Sequence, residues 1–315
     1  MTMFTVALVG TRYPDLSIER EILEGVSIVV GSGDTPHDIV EVTDGVDVVI
    51  AGSRPKFTAG VLERMTSRAI VRSGIGVDSV DLDHARRLGF WVVNVPDYGT
   101  EAVAFHTLSL ILGAMRRLPQ SDRLVKLGKW GFSELRPMHL PSALTAGVVG
   151  HGRIGRRVTE QLQAVGFGAV IGHDPFVTGM DTELGDLLEM SDIVTLHAPG
   201  PSDGSPLLGP SEIGRMKPGS ILVNTARGSL IDAPALAAGM AEGRPRIAAL
   251  DVFAPEPPNL SVFAAVKDQL ILSPHTAWYT EETETELRVK SAWEARRILE
   301  GTEPLHPIVR PEEAS

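Results

Sequence analysis

Three residues whose side chains suit carbonyl chemistry lie in the second half of the sequence, Arg227, Glu256 and His275. Each follows a short apolar run of strand length, and ligands of open α/β sheets bind beyond the carboxyl ends of such strands. An Arg can hold a carboxylate through two parallel hydrogen bonds, a His can pass a proton to a developing alkoxide, and a Glu can orient that His. Taken singly, each also fits a structural role. Together they predict a catalytic group that reduces a carbonyl.

A glycine-rich turn precedes these residues in the chain. Gly150, Gly152 and Gly155 form the pattern G-x-G-x-x-G between a strand-like run at residues 146–149 and a helical pattern. In such a turn the first glycine permits a tight bend, the second lets the backbone approach a pyrophosphate, and the third lets the helix pack on the strand. The first N–H groups of the helix would face the phosphates. The candidate cofactor contacts in this turn are Gly150, Gly152, Arg153, Ile154 and Gly155.

An acidic residue at a suitable distance favours NAD as the cofactor. Asp174 follows the next strand-like run and lies 174 − 150 = 24 residues after Gly150, close to the spacing of about 20 for a ribose-binding acid. Its carboxylate would accept a hydrogen bond from the ribose 2′-hydroxyl and repel a 2′-phosphate, and no Arg stands beside it. The alternative is a structural turn followed by a surface acid.

Apolar runs of strand length alternate with helical patterns, which predicts an α/β fold with parallel sheets covered by helices. The strand-like runs lie at residues 5–9, 26–30, 46–50, 69–71, 91–93, 146–149, 169–171, 193–196, 220–223, 248–250 and 270–272. Helical patterns lie at residues 18–24, 82–88, 100–117 and 281–300. The six runs from residue 146 onwards match the strand count of a doubly wound nucleotide-binding sheet.

Composition narrows the class of protein. The 315 residues predict two domains, and the 43% of hydrophobic residues can build sizeable cores. Cys is absent, which excludes disulfide frameworks, thiol nucleophiles and Cys-ligated metals, and we predict no metal site. The net charge of 29 − 40 = −11 argues against nucleic acid or an anionic membrane as a partner. Without a basic N-terminal leader or a run of about 18 apolar residues, we expect a cytoplasmic protein.

Over roughly residues 71–298 the chain resembles the D-2-hydroxyacid dehydrogenase family. The motifs that carry the resemblance, in family order, are residues 71–78 with Asp81, residues 94–96, 150–155, 174–175, 191–199, 216–219, 224–228, 251–253, 256–257 and 274–275. Residues 96–101 and 275–279 resemble the branch that contains the C-terminal-binding proteins.

The resemblance implies two doubly wound parallel-sheet domains with a cleft between them. A flavodoxin-like substrate domain would comprise residues 1–97 and 279–315, and a Rossmann NAD-binding domain residues 98–278. The family usually forms homodimers through the NAD domain. The activity implied is NAD-dependent oxidation of a D-2-hydroxyacid, or reduction of the 2-keto acid.

The resemblance also implies roles for individual residues. Arg227 would bind the substrate carboxylate or carbonyl, His275 would be the acid/base, and Glu256 its partner. Further contacts to the cofactor would come from His197, Pro199, Thr225, Ala226 and Asp251. Contacts to the substrate would come from Arg72, Ser73, Gly74, Ile75 and Trp278, although a ring as large as that of Trp278 also fits simple core packing.

The sequence departs from the family pattern at three places, none of them catalytic. Phe105 stands where an acidic residue is common, His151 stands where a bulky apolar residue is usual, and residues 200–209 lack the usual Leu-Thr pair. Two other functions remain open on the same fold: an NADH-sensing scaffold, and a formate- or phosphite-type dehydrogenase. The identity of the 2-hydroxyacid also remains open, since Arg54 beside Arg72 fits either a second anionic group or a surface salt bridge.

Overall fold

A computed structural model describes residues 4–11, 13–200 and 204–311. The strands, numbered along the chain, are β1 (Thr5–Val9), β2 (Ser27–Gly31), β3 (Val48–Ala51), β4 (Ala69–Arg72), β5 (Trp91–Asn94), β6 (Thr145–Val149), β7 (Ala169–His173), β8 (Ile193–Leu196), β9 (Ile221–Asn224), β10 (Ile247–Leu250), β11 (Leu270–Leu272) and β12 (Pro307–Val309).

The helices, numbered likewise, are α1 (Ser17–Ile22), α2 (Pro36–Val42), α3 (Ala59–Leu62), α4 (Leu82–Arg87), α5 (Thr100–Met115), α6 (Leu118–Lys126), α7 (Arg153–Val165), α8 (Leu184–Met190), α9 (Pro210–Arg215), α10 (Ala233–Ala241) and α11 (Glu281–Leu299). Short 3₁₀ segments occupy Ser133–Leu135, Pro141–Ala143, Gly228–Leu230 and Leu260–Gln269. None of the helices in the described part of the chain is both long and apolar enough to cross a bilayer.

The chain divides into two compact units, one of Met1–Gly99 with Thr280–Ser315 and one of Thr100–Tyr279. The boundaries that the family resemblance implies, 97/98 and 278/279, lie within two residues of these divisions. Each unit is built on one six-stranded sheet. The α/β class and the doubly wound sheets expected from the sequence are therefore present.

The first unit has the strand order β12-β5-β4-β3-β1-β2. The five predicted runs form its five parallel strands, and β3 is buried along its whole length because helices cover both faces. The sequence did not predict β12, which pairs antiparallel with β5 at the edge of the sheet. It is only three residues long and begins with Pro307, a residue without an N–H group that is tolerated at such an edge.

The N-terminal and C-terminal segments of the chain pack together in the first unit. Arg288 on α11 donates from Nε and Nη2 to the two carboxylate oxygens of Glu19 on α1, at 2.9 and 2.7 Å. Both side chains are buried, and these hydrogen bonds raise the pKa of Arg288. A fixed bidentate pair of this kind specifies how α1 and α11 pack together.

The second unit has the order β11-β10-β9-β8-β6-β7, with all strands parallel. All six predicted runs form strands. The chain passes from β6 to β7 on one side and continues with β8 on the other, so the direction of winding reverses at β6. Ligands of doubly wound sheets bind beyond the carboxyl ends of the strands at such a reversal.

Candidate active site

The glycine-rich turn joins β6 to α7 as the sequence predicts, and each glycine has a different geometric reason. Gly150 has a φ of +87°, and a Cβ there would lie 2.6 Å from the carbonyl carbon of His197. A Cβ on Gly155 would overlap the carbonyl oxygen of Gly150. Around Gly152, by contrast, no atom of the described residues other than its chain neighbours lies within 4 Å of an added Cβ. The backbone before Arg153 is therefore open to a ligand, and the first turn of α7 carries no acidic residue that would repel a phosphate.

Asp174 lies directly beside this turn. Its Oδ2 accepts from the N–H of His151 at 2.7 Å, and its Oδ1 accepts from the N–H of Phe176 at 2.9 Å. Partial burial acts to raise the pKa of Asp174, but these two hydrogen bonds outweigh it and hold the pKa below its usual value. The carboxylate is thus charged at neutral pH and tied to the backbone of the glycine turn. A charged carboxylate at this place can accept hydrogen bonds from the hydroxyl groups of a ligand bound at the turn.

Two histidines flank the turn in a neutral form. His151, the departure from the usual apolar residue, is buried with no hydrogen-bond partner for Nδ1 among the described residues, and burial lowers its pKa. The imidazole of His197 lies 2.9 Å from Oγ1 of Thr195, and burial lowers its pKa to about 3. The backbone of His197 packs under Gly150. Pro199, the other cofactor candidate of this loop, is exposed.

Arg227 lies in a braced loop after β9. The side-chain Nδ2 of Asn224 donates to the carbonyl of Arg227 at 2.8 Å, and its Oδ1 accepts from the N–H of Ala226 at 3.0 Å. The hydroxyl of Thr225 meets that of Thr107 on α5 at 2.8 Å. Since a Cβ on Gly228 would overlap the backbone of Phe253, this loop also packs closely on the segment that leads to Glu256.

His275 and Glu256 form a direct pair. Nδ1 of His275 lies 2.8 Å from Oε2 of Glu256, and both side chains are exposed. The second oxygen of Glu256 accepts from the N–H of Phe253 at 3.0 Å. His275 has a φ of +56°, a left-handed conformation that costs energy for a residue with a side chain and that often marks a functional site. The pair leaves Nε2 as the ring atom available for proton transfer.

The expected cofactor contact Asp251 is fully buried, and its carboxylate already has three donors. Ser273 Oγ donates to Oδ1 at 2.6 Å, as does the N–H of Thr276 at 2.9 Å, while the N–H of Ala277 donates to Oδ2 at 3.0 Å. His106 lies on the far side of Ser273. No spacing along the chain relates His106 or Ser273 to Asp251, so sequence patterns do not indicate this contact.

The predicted substrate contacts divide between the two units. Arg72 is the last residue of β4 in the first unit, and Ser73, Gly74 and Ile75 follow it. The Ser73 hydroxyl donates to the Ser291 hydroxyl at 2.9 Å. The guanidinium of Arg72 folds over Gly74 and donates to the Ser73 carbonyl. Trp278 belongs to the second unit, partly buried and packed edge-on against Tyr279 with ring centres 5.7 Å apart. The structure therefore brings Arg227, Glu256 and His275 into one unit, and the group at residues 72–75 into the other.

Comparison with known proteins places this geometry in context. Residues 108–277 match the family model described as D-isomer specific 2-hydroxyacid dehydrogenase, NAD binding domain. A D-3-phosphoglycerate dehydrogenase of Methanocaldococcus jannaschii is 36% identical over 292 residues, which cover 89% of this chain and 55% of that protein. A glyoxylate reductase of Aeropyrum pernix is 34% identical over 283 residues, covering 85% of this chain and 81% of that protein.

Among solved structures, a D-lactate dehydrogenase of Aquifex aeolicus complexed with NAD and lactic acid has a TM-score of 0.87 and 26% identity. The similarity covers 98% of this chain and 100% of that one. The chain spans about half the length of the D-3-phosphoglycerate dehydrogenases that it matches.

Proposed function

This chain belongs to the D-isomer specific 2-hydroxyacid dehydrogenase family, and we propose that it is an NAD-dependent oxidoreductase that interconverts a D-2-hydroxyacid and the corresponding 2-keto acid. The observation that carries the proposal is the 2.8 Å contact between His275 and Glu256. The unit that contains this contact also contains the glycine-rich turn, which fits a dinucleotide, and the braced Arg227 loop. The cofactor, when bound, supplies the hydride for reduction and takes it up for oxidation.

We propose that His275 is the general acid/base. In the reducing direction the protonated imidazole donates from Nε2 to the substrate oxygen, and in the oxidising direction the neutral ring accepts that proton. Glu256 accepts from Nδ1, which fixes the ring orientation and stabilises the imidazolium. Because Glu256 is itself bound to the N–H of Phe253, the pair holds its geometry before the substrate arrives.

Charge stabilisation falls to Arg227. Its guanidinium would bind the substrate carboxylate or carbonyl and hold the negative charge that develops on the oxygen. The side-chain amide of Asn224 fixes the loop backbone on both sides of Ala226. Thr225, Ala226 and Asp251 would border the nicotinamide. The Asp251 carboxylate also accepts from the N–H groups of Thr276 and Ala277.

The cofactor preference we propose is NAD over NADP. The main support is Asp174, whose two backbone hydrogen bonds keep its carboxylate charged at the place where a 2′-phosphate would lie. Gly150, Gly152, Arg153, Ile154 and Gly155 would cradle the pyrophosphate, with His197 and Pro199 bordering the same loop. The neutral state of His151 adds no cation that could offset repulsion of a phosphate.

A second copy of this chain is the protein partner we propose. The segment at residues 118–140 carries apolar side chains that are open to solvent in the single chain, and Trp130 is 92% exposed. The exposed members are Leu118, Val125, Leu127, Trp130, Phe132 and Leu140. A concentration of apolar groups in one segment is typical of an oligomer interface rather than of a free surface. We therefore expect a homodimer formed through the second unit.

The test is oxidation of NADH, with NADPH alongside, against glyoxylate, hydroxypyruvate, pyruvate, phenylpyruvate, phosphohydroxypyruvate and 2-ketoglutarate. Turnover of one acid with NADH supports the reaction class and identifies the substrate group. Tight NADH binding without turnover of any acid would favour the sensing scaffold. Activity on formate or phosphite alone would favour that rival chemistry.

A further inference from the structure

Three polar side chains next to the turn that bears His275 form a hydrogen-bonded series: His106, Ser273 and Asp251. Nε2 of His106, on α5, lies 3.0 Å from Oγ of Ser273. Oγ of Ser273 lies 2.6 Å from Oδ1 of Asp251. His106 Nε2 is itself 3.8 Å from the same carboxylate oxygen.

The direction of these hydrogen bonds follows from the hydroxyl of Ser273. A Ser hydroxyl has one proton to donate, and here it goes to Oδ1 of Asp251 at 2.6 Å. Oγ can therefore only accept from His106, so Nε2 of His106 carries a proton. All donation in this hydrogen-bonded series is therefore in one direction. The imidazole N–H donates to the hydroxyl, and the hydroxyl donates to the buried carboxylate.

Asp251 in turn holds the backbone of His275 and of the two residues that follow it. Its main-chain carbonyl accepts from the N–H of His275 at 2.8 Å. Its carboxylate accepts from the N–H groups of Thr276 and Ala277, the next two residues. The left-handed conformation of His275 must be maintained by its surroundings, and Asp251 supplies three of the hydrogen bonds that do so.

We propose that His106 is a positioning residue for His275, acting through Ser273 and Asp251. This inference rests on the proposed function for its consequence in catalysis, and on the geometry alone for its consequence in structure. Asp251 is fully buried, and a buried carboxylate that loses part of its hydrogen-bond network must move or recruit water. Either response shifts the turn at residues 275–277. The neighbouring contact of Thr107 with Thr225 gives α5 a similar hold on the Arg227 loop.

The experiment compares four single variants and one double variant with the wild-type protein. His106→Leu removes the N–H, His106→Gln retains a side-chain N–H near the same place, and Ser273→Ala breaks the chain at its middle. Ser109→Ala, an exposed position one turn further along α5, is the matched control. Each protein is measured for kcat, for KM of the 2-keto acid, for NADH affinity by fluorescence, and for amide hydrogen exchange at Thr276 and Ala277.

We expect kcat to fall about 10- to 100-fold in His106→Leu, the range for a small misplacement of a catalytic group, with NADH affinity unchanged. His106→Gln should recover most of the loss. The double variant of His106→Leu and Ser273→Ala should be no worse than the poorer single variant, because both act through one chain. Exchange at Thr276 and Ala277 should accelerate in His106→Leu and not in Ser109→Ala.

The exchange measurement separates this inference from the proposed function. Faster exchange at Thr276 and Ala277 in His106→Leu upholds the network even if the wild-type protein reduces no keto acid. Wild-type kcat and wild-type exchange in a folded His106→Leu protein would overturn it. Additive losses in the double variant would also overturn it, since they would mean that His106 acts by another route.

Discussion

Nδ1 of His275 lies 2.8 Å from Oε2 of Glu256, and this contact links the loop after β11 to the loop after β10. The carboxylate cannot follow the ring freely because its other oxygen is bound to the N–H of Phe253. In the proposed function this fixed carboxylate orients the His275 ring before the substrate binds, which is the condition for efficient acid/base catalysis.

Replacing His275 or Glu256 should lower kcat and leave NADH binding unchanged. We expect His275→Ala to lower kcat by about 10²- to 10⁴-fold, the usual contribution of a general acid. Glu256→Gln should lower kcat less, because the amide can still accept from Nδ1. Steady-state kinetics and NADH fluorescence titration check this. Unchanged NADH binding in both variants is expected, and loss of binding with unchanged stability would assign His275 to the cofactor site instead.

Asp174 should decide between the two nicotinamide cofactors. Asp174→Ala removes the like charge that opposes a 2′-phosphate, a repulsion of the order of a few kcal/mol. The ratio of kcat/KM for NADPH to that for NADH should therefore rise by about 10-fold or more. Asp181→Ala removes the same charge from an exposed position and serves as the control. Equal ratios in the two variants would contradict the assignment.

Two glycines of the same turn should respond differently to a methyl group. Gly150→Ala forces a side chain into a left-handed backbone and against His197, so we expect a loss of about 2 kcal/mol or more in the free energy of unfolding. Gly152→Ala meets no described atom and should change stability by only about 0.5 kcal/mol, while weakening NADH binding. Urea unfolding and fluorescence titration distinguish these outcomes. Equal destabilisation by both would contradict the geometry.

The partly buried imidazole of His197 should make the folded state less stable in acid. Burial lowers the pKa of His197 to about 3, whereas in the unfolded chain it is about 6.5. The unfolded chain therefore binds a proton in this interval that the folded chain does not. The stabilisation is fully present above about pH 6.5 and decreases by up to about 1.4 kcal/mol per pH unit on acidification towards pH 3.

The comparison for this prediction is His197→Gln, which cannot titrate. Urea unfolding of both proteins between about pH 7 and pH 4 gives the difference in their free energies of unfolding. We expect the free energy of unfolding of the wild-type protein to decrease relative to that of His197→Gln as the pH falls. A difference that stays constant would mean that His197 gains a proton in the folded state as readily as in the unfolded state.

The exposed apolar segment at residues 118–140 predicts an interface that one charge should disrupt. Trp130→Asp places a carboxylate in the middle of the segment, and we expect the molecular mass in solution to halve, from dimer to monomer. Light scattering after size-exclusion chromatography measures it. Phe176→Asp alters a ring that is 94% exposed outside the segment and should leave the mass unchanged. A wild-type monomer would refute the proposed partner.

Much of the fold could be predicted because its signals are local. The eleven apolar runs all became strands, since a parallel strand buried on both faces needs only a few adjacent β-branched residues. The short edge strand β12 carries no such signal, and the predicted helix at residues 100–117 ends at Met115 because Arg117 adopts a left-handed conformation. The return of residues 280–315 to the first unit came from the family resemblance, as no periodicity indicates it.

The candidate site was predictable to a different degree. The pairing of Glu256 with His275 could be anticipated, because both follow neighbouring strands of one sheet. The contact of His106 with Ser273 joins residues 167 positions apart, and the left-handed φ of His275 arises from its tertiary surroundings. Single-sequence patterns contain neither kind of information.

The buried pair of Glu19 and Arg288 has a consequence for the order in which the protein is made. During synthesis the ribosome delivers residues 100–279 as one continuous stretch, so the second unit can complete its sheet first. The first unit lacks part of the cover on one face of its sheet until α11 emerges and Arg288 reaches Glu19. Residues 4–99 are therefore synthesised before the second unit but gain the cover of α11 only after it, and their apolar surface stays exposed for longer.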